Sequence, residues 1–197
     1  MNIKNINKIL FSGFFLAVLF SCLGFTTQSE LLSTKIIRMH VRANSNSDYD
    51  QNIKIQVKDE VVNFAEKIMN EQNSYRLAKQ SVVENLDEIK IIANQKLVDL
   101  KTPYTANVKF EEEFFPTREY DTFTLPAGNY QSLVVEIGTA KGENWWCVVY
   151  PSLCTATSIK DCSEKLESEE IEIITETPEV SFFLYEWYLQ IQEFFKK

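Results

Sequence analysis

The single histidine of this 197-residue chain limits the catalytic chemistry that its sequence could support. Zinc sites and Ser or Cys triads generally need a histidine, so any such site must include His40. Cys147 together with His40 could act as nucleophile and base. The alternating pattern of residues 36–43, however, places His40 between Arg38 and Arg42 on the polar face of a strand. A structural histidine is therefore the favoured interpretation, and a Cys147/His40 hydrolase remains the enzymatic alternative.

The cysteines have two competing interpretations. Cys147 and Cys154 bracket a segment that contains Pro151, and a disulfide between them would contribute about 2 to 3 kcal/mol in the chain-entropy model. A reduced Cys147 that packs as a small apolar side chain is the alternative. The spacing of Cys147, Cys154 and Cys162 matches no common zinc motif, so the sequence predicts no metal site.

Other catalytic motifs are missing from the sequence. The chain has no glycine-rich phosphate loop, no Gly-x-Ser-x-Gly elbow and no His-Glu-x-x-His pair. Residues 111–113 are three successive glutamates, but adjacent strand residues point to opposite faces, so we discount them as a catalytic carboxylate pair. The sequence therefore predicts a protein that is not an enzyme and that needs no cofactor.

The charge balance excludes one class of partner. The 28 acidic residues outnumber the 20 basic ones, and the isoelectric point is about 4.8. Neutralising nucleic-acid phosphates requires clustered lysine and arginine, which this chain lacks. We therefore expect a protein partner.

Residues 1–24 have the composition of an export signal or an N-terminal anchor. Lys4 and Lys8 precede the apolar run of residues 9–20, and small residues follow it. Three outcomes stay open for this leader. It could be cleaved, retained as a slightly short membrane anchor, or modified with lipid at Cys22. Each alternative places the rest of the chain outside the cytoplasm.

The hydrophobic pattern after this leader predicts an α+β fold. Residues 36–43 alternate as a half-buried strand, and apolar residues at helical spacing then predict two helices, the second running from a Ser74 cap to Pro103. Beyond Pro103 the period becomes two, which indicates antiparallel strands, with a hairpin predicted across Gly138–Asn144. The predicted fold class is an antiparallel sheet with two helices packed on one face and a C-terminal amphipathic helix.

One domain is predicted over residues 36–195. Within it, residues 155–170 are predicted to form a polar, mobile segment, and residues 171–174 a short β-prone piece. The last helix, after Pro178, carries an apolar stripe. Its members are Val180, Leu184, Trp187, Tyr188, Ile191, Phe194 and Phe195.

Neighbouring tryptophans on a predicted strand offer a contact surface. Trp145 and Trp146 must point to opposite faces of the sheet, so one can fill the core under the helices while the other is partly exposed. Exposed tryptophans are frequent binding hot spots, although packing would account for the pair equally well.

Several motifs, in order, resemble the stage II sporulation protein R family. The opening motifs are Arg38–Ser45, Asp50–Gln51, Lys54 and Val57–Asp59. The closing motifs are Phe115–Thr117, Leu125–Gly128 and Gly142–Cys154. The similarity extends from about residue 36 to residue 195. The chain departs from the family pattern at Asn46, Lys58, Tyr150, Ser152 and Ser181.

This resemblance implies a function as well as a fold. Members of the family leave the forespore and activate a membrane-embedded aspartic peptidase that processes the precursor of mother-cell sigma factor E. The resemblance implies that this chain is an exported signalling protein, located between the forespore and mother-cell membranes, with that peptidase as its partner. An anchored envelope protein is the structural alternative, and membrane contact is expected only through a retained leader. We expect the contact surface to include some of Arg38, His40, Arg42, Asn44, Trp145 and Trp146.

Overall fold

The structure is a computed structural model that describes residues 12–13, 29–120, 123–151, 168–176 and 185–187. The chain divides into two compact units. The sheet unit comprises Ser33–Phe114 and Asn129–Ser168, and the small unit comprises Met1–Leu32, Phe115–Gly128 and Glu169–Lys197. Apart from helical residues 12–13, the predicted leader lies outside the described residues. Among the helices that are described, none is both long enough and apolar enough to cross a bilayer.

Regular elements confirm the α+β fold class. Besides the short helical stretches at residues 12–13, 29–33 and 185–187, the described helices are α1 (Asp48–Asn70), α2 (Tyr75–Glu84), α3 (Leu86–Asp99) and α4 (Ser168–Glu176). The strands are β1 (Ile37–Arg42), β2 (Ala106–Phe115), β3 (Arg118–Glu119), β4 (Thr124–Leu125), β5 (Gly128–Ile137) and β6 (Asn144–Tyr150). Four of the strands form one sheet in the order β2-β5-β1-β6, and β3 pairs with β4.

The sheet is mixed but mostly antiparallel. Strand β1 pairs in parallel with β5, where His40 lies opposite Val134, and antiparallel with β6, where His40 lies opposite Trp146. Side chains alternate along β1, so Ile37, Met39 and Val41 share the face that packs in the core with the helices. The opposite face carries the polar residues of β1.

Helices α1, α2 and α3 pack together, and α1 also contacts β1 and β6. Helix α1 begins after the polar residues 44–47, where the Ser47 hydroxyl accepts a hydrogen bond from the Asp50 N–H at 3.2 Å. Its apolar stripe and the sheet form one continuous core. Buried members of this core include Ile53, Val57, Val61, Ala65, Ile89, Ala93, Leu97, Leu133, Val135 and Val149.

The predicted second helix is divided in two. Ser74 caps α2 as expected, because its hydroxyl accepts from the Leu77 N–H at 3.4 Å. Asn85 then leaves helical geometry, with φ −106° and ψ 14°, and its side-chain amide donates to the Ser81 carbonyl at 2.8 Å. Asparagine competes for backbone hydrogen bonds in this way, which is why it interrupts helices. Three helices therefore contribute to the core on this face of the sheet, where we predicted two.

The predicted hairpin between β5 and β6 is wrong. Strand β1 lies between them and pairs with both. The connection after Gly138 instead crosses the end of β1, where the Gly142 N–H donates to the Ala43 carbonyl at 2.8 Å. A Cβ at Gly142 would lie 2.3 Å from the Ser45 carbonyl oxygen, so glycine serves a close backbone crossing there.

The small unit joins two of the motifs noted in the sequence. Strands β3 and β4 pair antiparallel, with Arg118 opposite Leu125. The Thr117 hydroxyl, in the Phe-Pro-Thr motif, accepts from the Ala127 N–H at 3.2 Å, in the Leu-Pro-Ala-Gly motif. This hydrogen bond therefore links the two motifs.

The β-prone piece predicted at residues 171–174 is helical. It lies within α4, where Ile173 and Ile174 are buried and the Thr175 hydroxyl donates to the Ile171 carbonyl at 2.7 Å. The surrounding glutamates favour helix, and they outweigh the β propensity of isoleucine. Residues 168–170 of the predicted polar segment form the start of this helix, and the rest of that segment lies outside the described residues. So does most of the predicted last helix, of which residues 185–187 are helical and Trp187 is exposed.

Candidate functional site

The candidate site is the polar face of the sheet, where β1 presents Arg38, His40 and Arg42 on the side opposite to the helices. These three alternate with apolar residues along one strand, so the strand itself aligns them. The prediction that β1 is half-buried is wrong, because β1 lies between β5 and β6 and most of its residues are buried on both faces. Arg38 is fully buried and His40 is only 2% exposed, whereas the Arg42 side chain is 29% exposed. Only Arg42 among them is substantially accessible.

His40 is fixed from two sides. Its Nδ1 lies 3.0 Å from the Glu113 Oε2. Because a carboxylate oxygen can only accept, the Nδ1 carries the hydrogen in this contact. The Trp146 ring stacks on the imidazole, with centroids 3.8 Å apart and planes 18° apart. This ring is therefore held as part of the framework.

Arg42 bridges two glutamates from different strands. One of its guanidinium nitrogens contacts the Glu113 carboxylate, and Nη1 donates to the Glu136 Oε1 at 3.0 Å. The other Glu136 oxygen accepts from the Lys109 Nζ at 2.8 Å. The hydrogen bond from Lys109 lowers the pKa of Glu136, against the opposing effect of burial. We call His40, Arg42, Lys109, Glu113 and Glu136 the charged network.

This charged network connects three strands of the sheet. Glu113 and Lys109 lie on β2, Glu136 lies on β5, and His40 and Arg42 lie on β1. The sequence pattern places Lys109 and Glu136 on this face of the sheet but does not indicate that they pair with β1, and we discounted Glu113 with its neighbours. The available signal was the alternation of β2, which places Lys109 and Glu113 on one face with Glu111 between them.

Arg38 lies in a wholly buried part of the same face. Its guanidinium carbon is 5.0 Å from the centre of the Tyr130 ring, a cation–π arrangement. In β5, Ser132 is its register partner and is also buried. This position is not accessible to a partner in the described structure, so a contact role for Arg38 stays a prediction.

Asn44 organises the loop that follows β1. Its Oδ1 accepts from the Thr139 N–H at 3.0 Å, and its Nδ2 donates to the Asp50 Oδ2 at 2.8 Å. The same Asp50 oxygen accepts from the Ser45 hydroxyl at 2.6 Å. Burial raises the pKa of Asp50, but hydrogen bonds from Ser45, Asn44 and the Tyr104 hydroxyl outweigh it, so the pKa lies below its usual value.

Further residues of the opening motif secure the loop from α1. The Gln51 Nε2 donates to the Ser45 carbonyl at 2.9 Å, and the Lys54 Nζ donates to the Glu143 carbonyl at 3.1 Å. Asn46, where the family pattern has aspartate, accepts from the Glu143 N–H at 2.6 Å through its Oδ1. Since an aspartate oxygen would accept equally well, this departure preserves the contact. The motif therefore joins β1, α1 and the connection before β6.

The two tryptophans point to opposite faces, as predicted. Trp146 stacks on His40, whereas Trp145 lies on the helix side at the open end of β6. Trp145 is 39% exposed, and the Lys58 ammonium lies 4.8 Å from the centre of its ring. Lys58 is another departure from the family pattern, and it keeps the positive charge beside this indole. Trp145 is thus the more accessible of the two.

Cys147 cannot act with His40 as a nucleophile and base. In the pairing of β1 with β6, Cys147 lies opposite Met39, so its side chain shares the helix-side face, and His40 points the other way. Cys147 is 2% exposed and takes part in a disulfide bond. Its pairing with Cys154 stays a prediction, because Cys154 lies outside the described residues. Among the residues that are described, no group of three or more His, Cys, Asp or Glu side chains could hold a metal ion.

Comparison with known proteins agrees with the resemblance seen in the motifs. The chain is 30% identical over 185 residues to "Stage II sporulation protein R" of Bacillus subtilis (strain 168), which covers 81% of this chain and 83% of that protein. No solved structure matches the chain. The sequence model of the family described as "Stage II sporulation protein R (spore_II_R)" matches residues 33–160, which include β1, α1 to α3, the charged network and β6. The chain therefore belongs to the stage II sporulation protein R family.

Proposed function

We propose that this chain is an exported signalling protein of sporulation. The observation that carries the proposal is the family match over residues 33–160, supported by the Bacillus subtilis relative, whose name places it in stage II of sporulation. The leader-like composition of residues 1–24 supports export. The site of action is then the space between the forespore and mother-cell membranes.

The proposed partner is the membrane-embedded aspartic peptidase that processes the precursor of mother-cell sigma factor E. A ligand activates a receptor by binding its active state more tightly than its inactive state. Such a ligand needs a rigid surface, and it needs no bond-making groups of its own. The charged network supports this role, because each of its charges is neutralised by another member and the strands are tied together.

Two accessible positions of the predicted contact surface lie at the end of the sheet where β1 ends and β6 begins, with Arg42 on the polar face and Trp145 on the helix-side face. Trp145 is 39% exposed and the Arg42 side chain 29% exposed, whereas Arg38 and His40 are buried. We therefore propose that Trp145 and Arg42 contact the partner. His40, Trp146 and Asn44 would act indirectly, because their contacts hold the strands and the loop beneath that surface.

An enzymatic function receives no support from the geometry of Cys147 and His40, which point to opposite faces of the sheet. The envelope-protein alternative differs in its consequences: it predicts a retained leader and no effect on precursor cleavage. The mass of the secreted chain tests retention directly.

Reconstitution in a non-sporulating host tests the proposal. The host would express the peptidase and the sigma factor precursor, with or without this chain, and precursor cleavage would be followed by immunoblot. We expect cleavage only when the chain is present. Cleavage at the same level without the chain, or turnover of a substrate by the purified chain alone, would contradict the proposal.

A further inference from the structure

Strand β2 is one of the two edge strands of the four-stranded sheet. In the part of the chain that the structure describes, β2 has a neighbouring strand on one side only, because β5 follows it in the sheet order. Half of its side chains are exposed. They are Asn107, Lys109, Glu111, Glu112 and Phe114. An exposed strand edge can pair with a further strand.

Two hydrogen-bonded residues at the start of β2 show which peptide groups point outward. The Thr105 carbonyl accepts from the Gly138 N–H at 3.0 Å, on the side of β5. The next residue, Ala106, is bonded on the other side: its N–H donates to the Asn94 Oδ1 and its carbonyl accepts from the Asn94 Nδ2, both at 2.9 Å. The Asn94 amide thus occupies the first outward position as a neighbouring strand would.

Beyond Ala106 the edge continues. Strand peptide groups alternate in direction, so the N–H and carbonyl groups of Val108, Phe110 and Glu112 point outward, like those of Ala106. An added strand would use these groups in the manner of β-augmentation.

Side chains along this edge define the charge of the strand that it fits. Glu111 is exposed on the face of the charged network, and Glu112 is exposed on the opposite face, where its carboxylate accepts from the Gln131 Nε2 at 3.3 Å. Phe114 is 41% exposed close by. Directly opposed residues on paired strands lie about 4.5 to 5.5 Å apart at Cβ, so opposite charges attract and like charges repel. Basic side chains would complement both glutamates.

A second copy of this chain fits the edge poorly. An antiparallel pairing of two β2 strands centred on residues 111–113 would bring their glutamates together, and such repulsion is a known device against edge-to-edge association. The charge therefore favours a different occupant.

We propose that the β2 edge binds an extended, basic segment of a partner protein by strand addition. Lysine or arginine side chains of the segment lie opposite Glu111 and Glu112, and an apolar side chain packs near Phe114. The inference goes beyond the proposed function, since it requires no particular protein to supply the segment.

Binding of a synthetic peptide tests this inference without any peptidase. The probe is a fluorescein-labelled peptide of valine and threonine with two adjacent lysines at its centre, one for each face of the added strand. It is compared with the same peptide carrying glutamate for lysine, and affinity for the full-length chain is measured by fluorescence anisotropy. We expect the lysine peptide to bind at least tenfold more tightly than the glutamate peptide. Glu112→Pro should weaken binding about tenfold, because it removes an outward N–H but leaves the bonds to β5 intact.

Two further variants separate charge from backbone pairing. Glu111→Lys/Glu112→Lys should reverse the preference between the peptides. Glu84→Lys/Glu88→Lys makes the same change in net charge at exposed positions of α2 and α3 and should leave the preference unchanged.

The proposal is overturned if the lysine peptide does not bind, or if its affinity survives both Glu112→Pro and Glu111→Lys/Glu112→Lys. It is also overturned if sedimentation shows a dimer of the parent chain that Glu112→Pro disrupts while the peptide stays unbound, since the occupant would then be a second copy. If circular dichroism shows that Glu112→Pro is unfolded, the double charge reversal decides alone.

Discussion

Glu113 reaches from the edge strand β2 to His40 on β1, although β5 lies between the two strands. One carboxylate thereby fixes the imidazole, through Oε2 at 3.0 Å, and holds the Arg42 guanidinium through its other oxygen. Polar groups that are this well enclosed are stabilising only when they are paired. The contact therefore explains how a central strand can carry a histidine and an arginine on one face.

Removing the Glu113 carboxylate should destabilise the fold. Glu113→Ala leaves His40 and Arg42 without this acceptor, and we expect the free energy of unfolding to fall by about 1 to 3 kcal/mol. Urea denaturation of the purified chain measures the change. Glu111→Ala on the same strand is the control and should change stability by no more than about 0.5 kcal/mol. Equal losses from both variants would contradict a structural role for the Glu113 contact.

The close backbone crossing should make Gly142 intolerant of a side chain. Gly142→Ala places a Cβ at 2.3 Å from the Ser45 carbonyl oxygen, so either the connection or the loop after β1 must move. We expect a loss of about 1 to 3 kcal/mol in thermal or urea unfolding.

Ala140, in the same connection, provides the matched control. Its φ is 53°, a conformation that glycine adopts more easily. Ala140→Gly should therefore leave stability unchanged or raise it. A stable Gly142→Ala variant with parent-like unfolding would show that the crossing is looser than described.

Acid should weaken the fold through Glu136. The hydrogen bond from Lys109 holds the pKa of Glu136 below its ordinary value of 4.5 in the folded protein. Because folding lowers this pKa, ionised Glu136 stabilises the folded protein at pH values above its ordinary pKa. The stabilisation is lost as the pH falls through the pKa of the folded state. Glu136→Gln should therefore flatten the decline in unfolding free energy between about pH 6 and pH 3.

Lys109→Gln provides the partner measurement for the same acid effect. It removes the principal cause of the lowered pKa of Glu136, so it should flatten the same part of the pH profile, though less, because Arg42 remains. Unchanged profiles in both variants would exclude this linkage.

The two adjacent tryptophans should differ in what they do. Trp146→Ala removes the ring stacked on His40 and should cost about 2 to 4 kcal/mol of stability, whereas Trp145→Ala, at a partly exposed position, should cost about 1 kcal/mol or less.

Trp145→Ala should nevertheless lower precursor cleavage in the reconstituted host, measured at equal levels of the parent and variant chains. Tyr49→Ala, which truncates another exposed aromatic side chain, is the control. Full cleavage with Trp145→Ala would remove this residue from the contact surface.

Local signals in the sequence predicted local structure well. The alternation of β1, the Ser74 cap and the opposite directions of Trp145 and Trp146 depend on near neighbours in the chain, and all of these predictions are confirmed. The family could also be assigned from the sequence, because each of its motifs is a contiguous run of residues.

Long-range pairing was not accessible from the same signals. Two strands separated by a glycine-containing loop predict a hairpin, yet β1 enters between β5 and β6, and no local pattern reports this. Glu113 was discounted for a similar reason: its role depends on reaching across β5 to His40, 73 residues away in sequence. The break at Asn85 was missed because the apolar stripe continues from α2 into α3.

The most direct test of the signalling account compares the exported chain with the same chain lacking residues 1–24 in the reconstituted host. The fraction of sigma factor precursor cleaved is measured at matched levels of the two forms. The account predicts cleavage with the exported form and almost none with the form kept in the cytosol. Equal cleavage by both forms would contradict a signal that acts from outside the membrane.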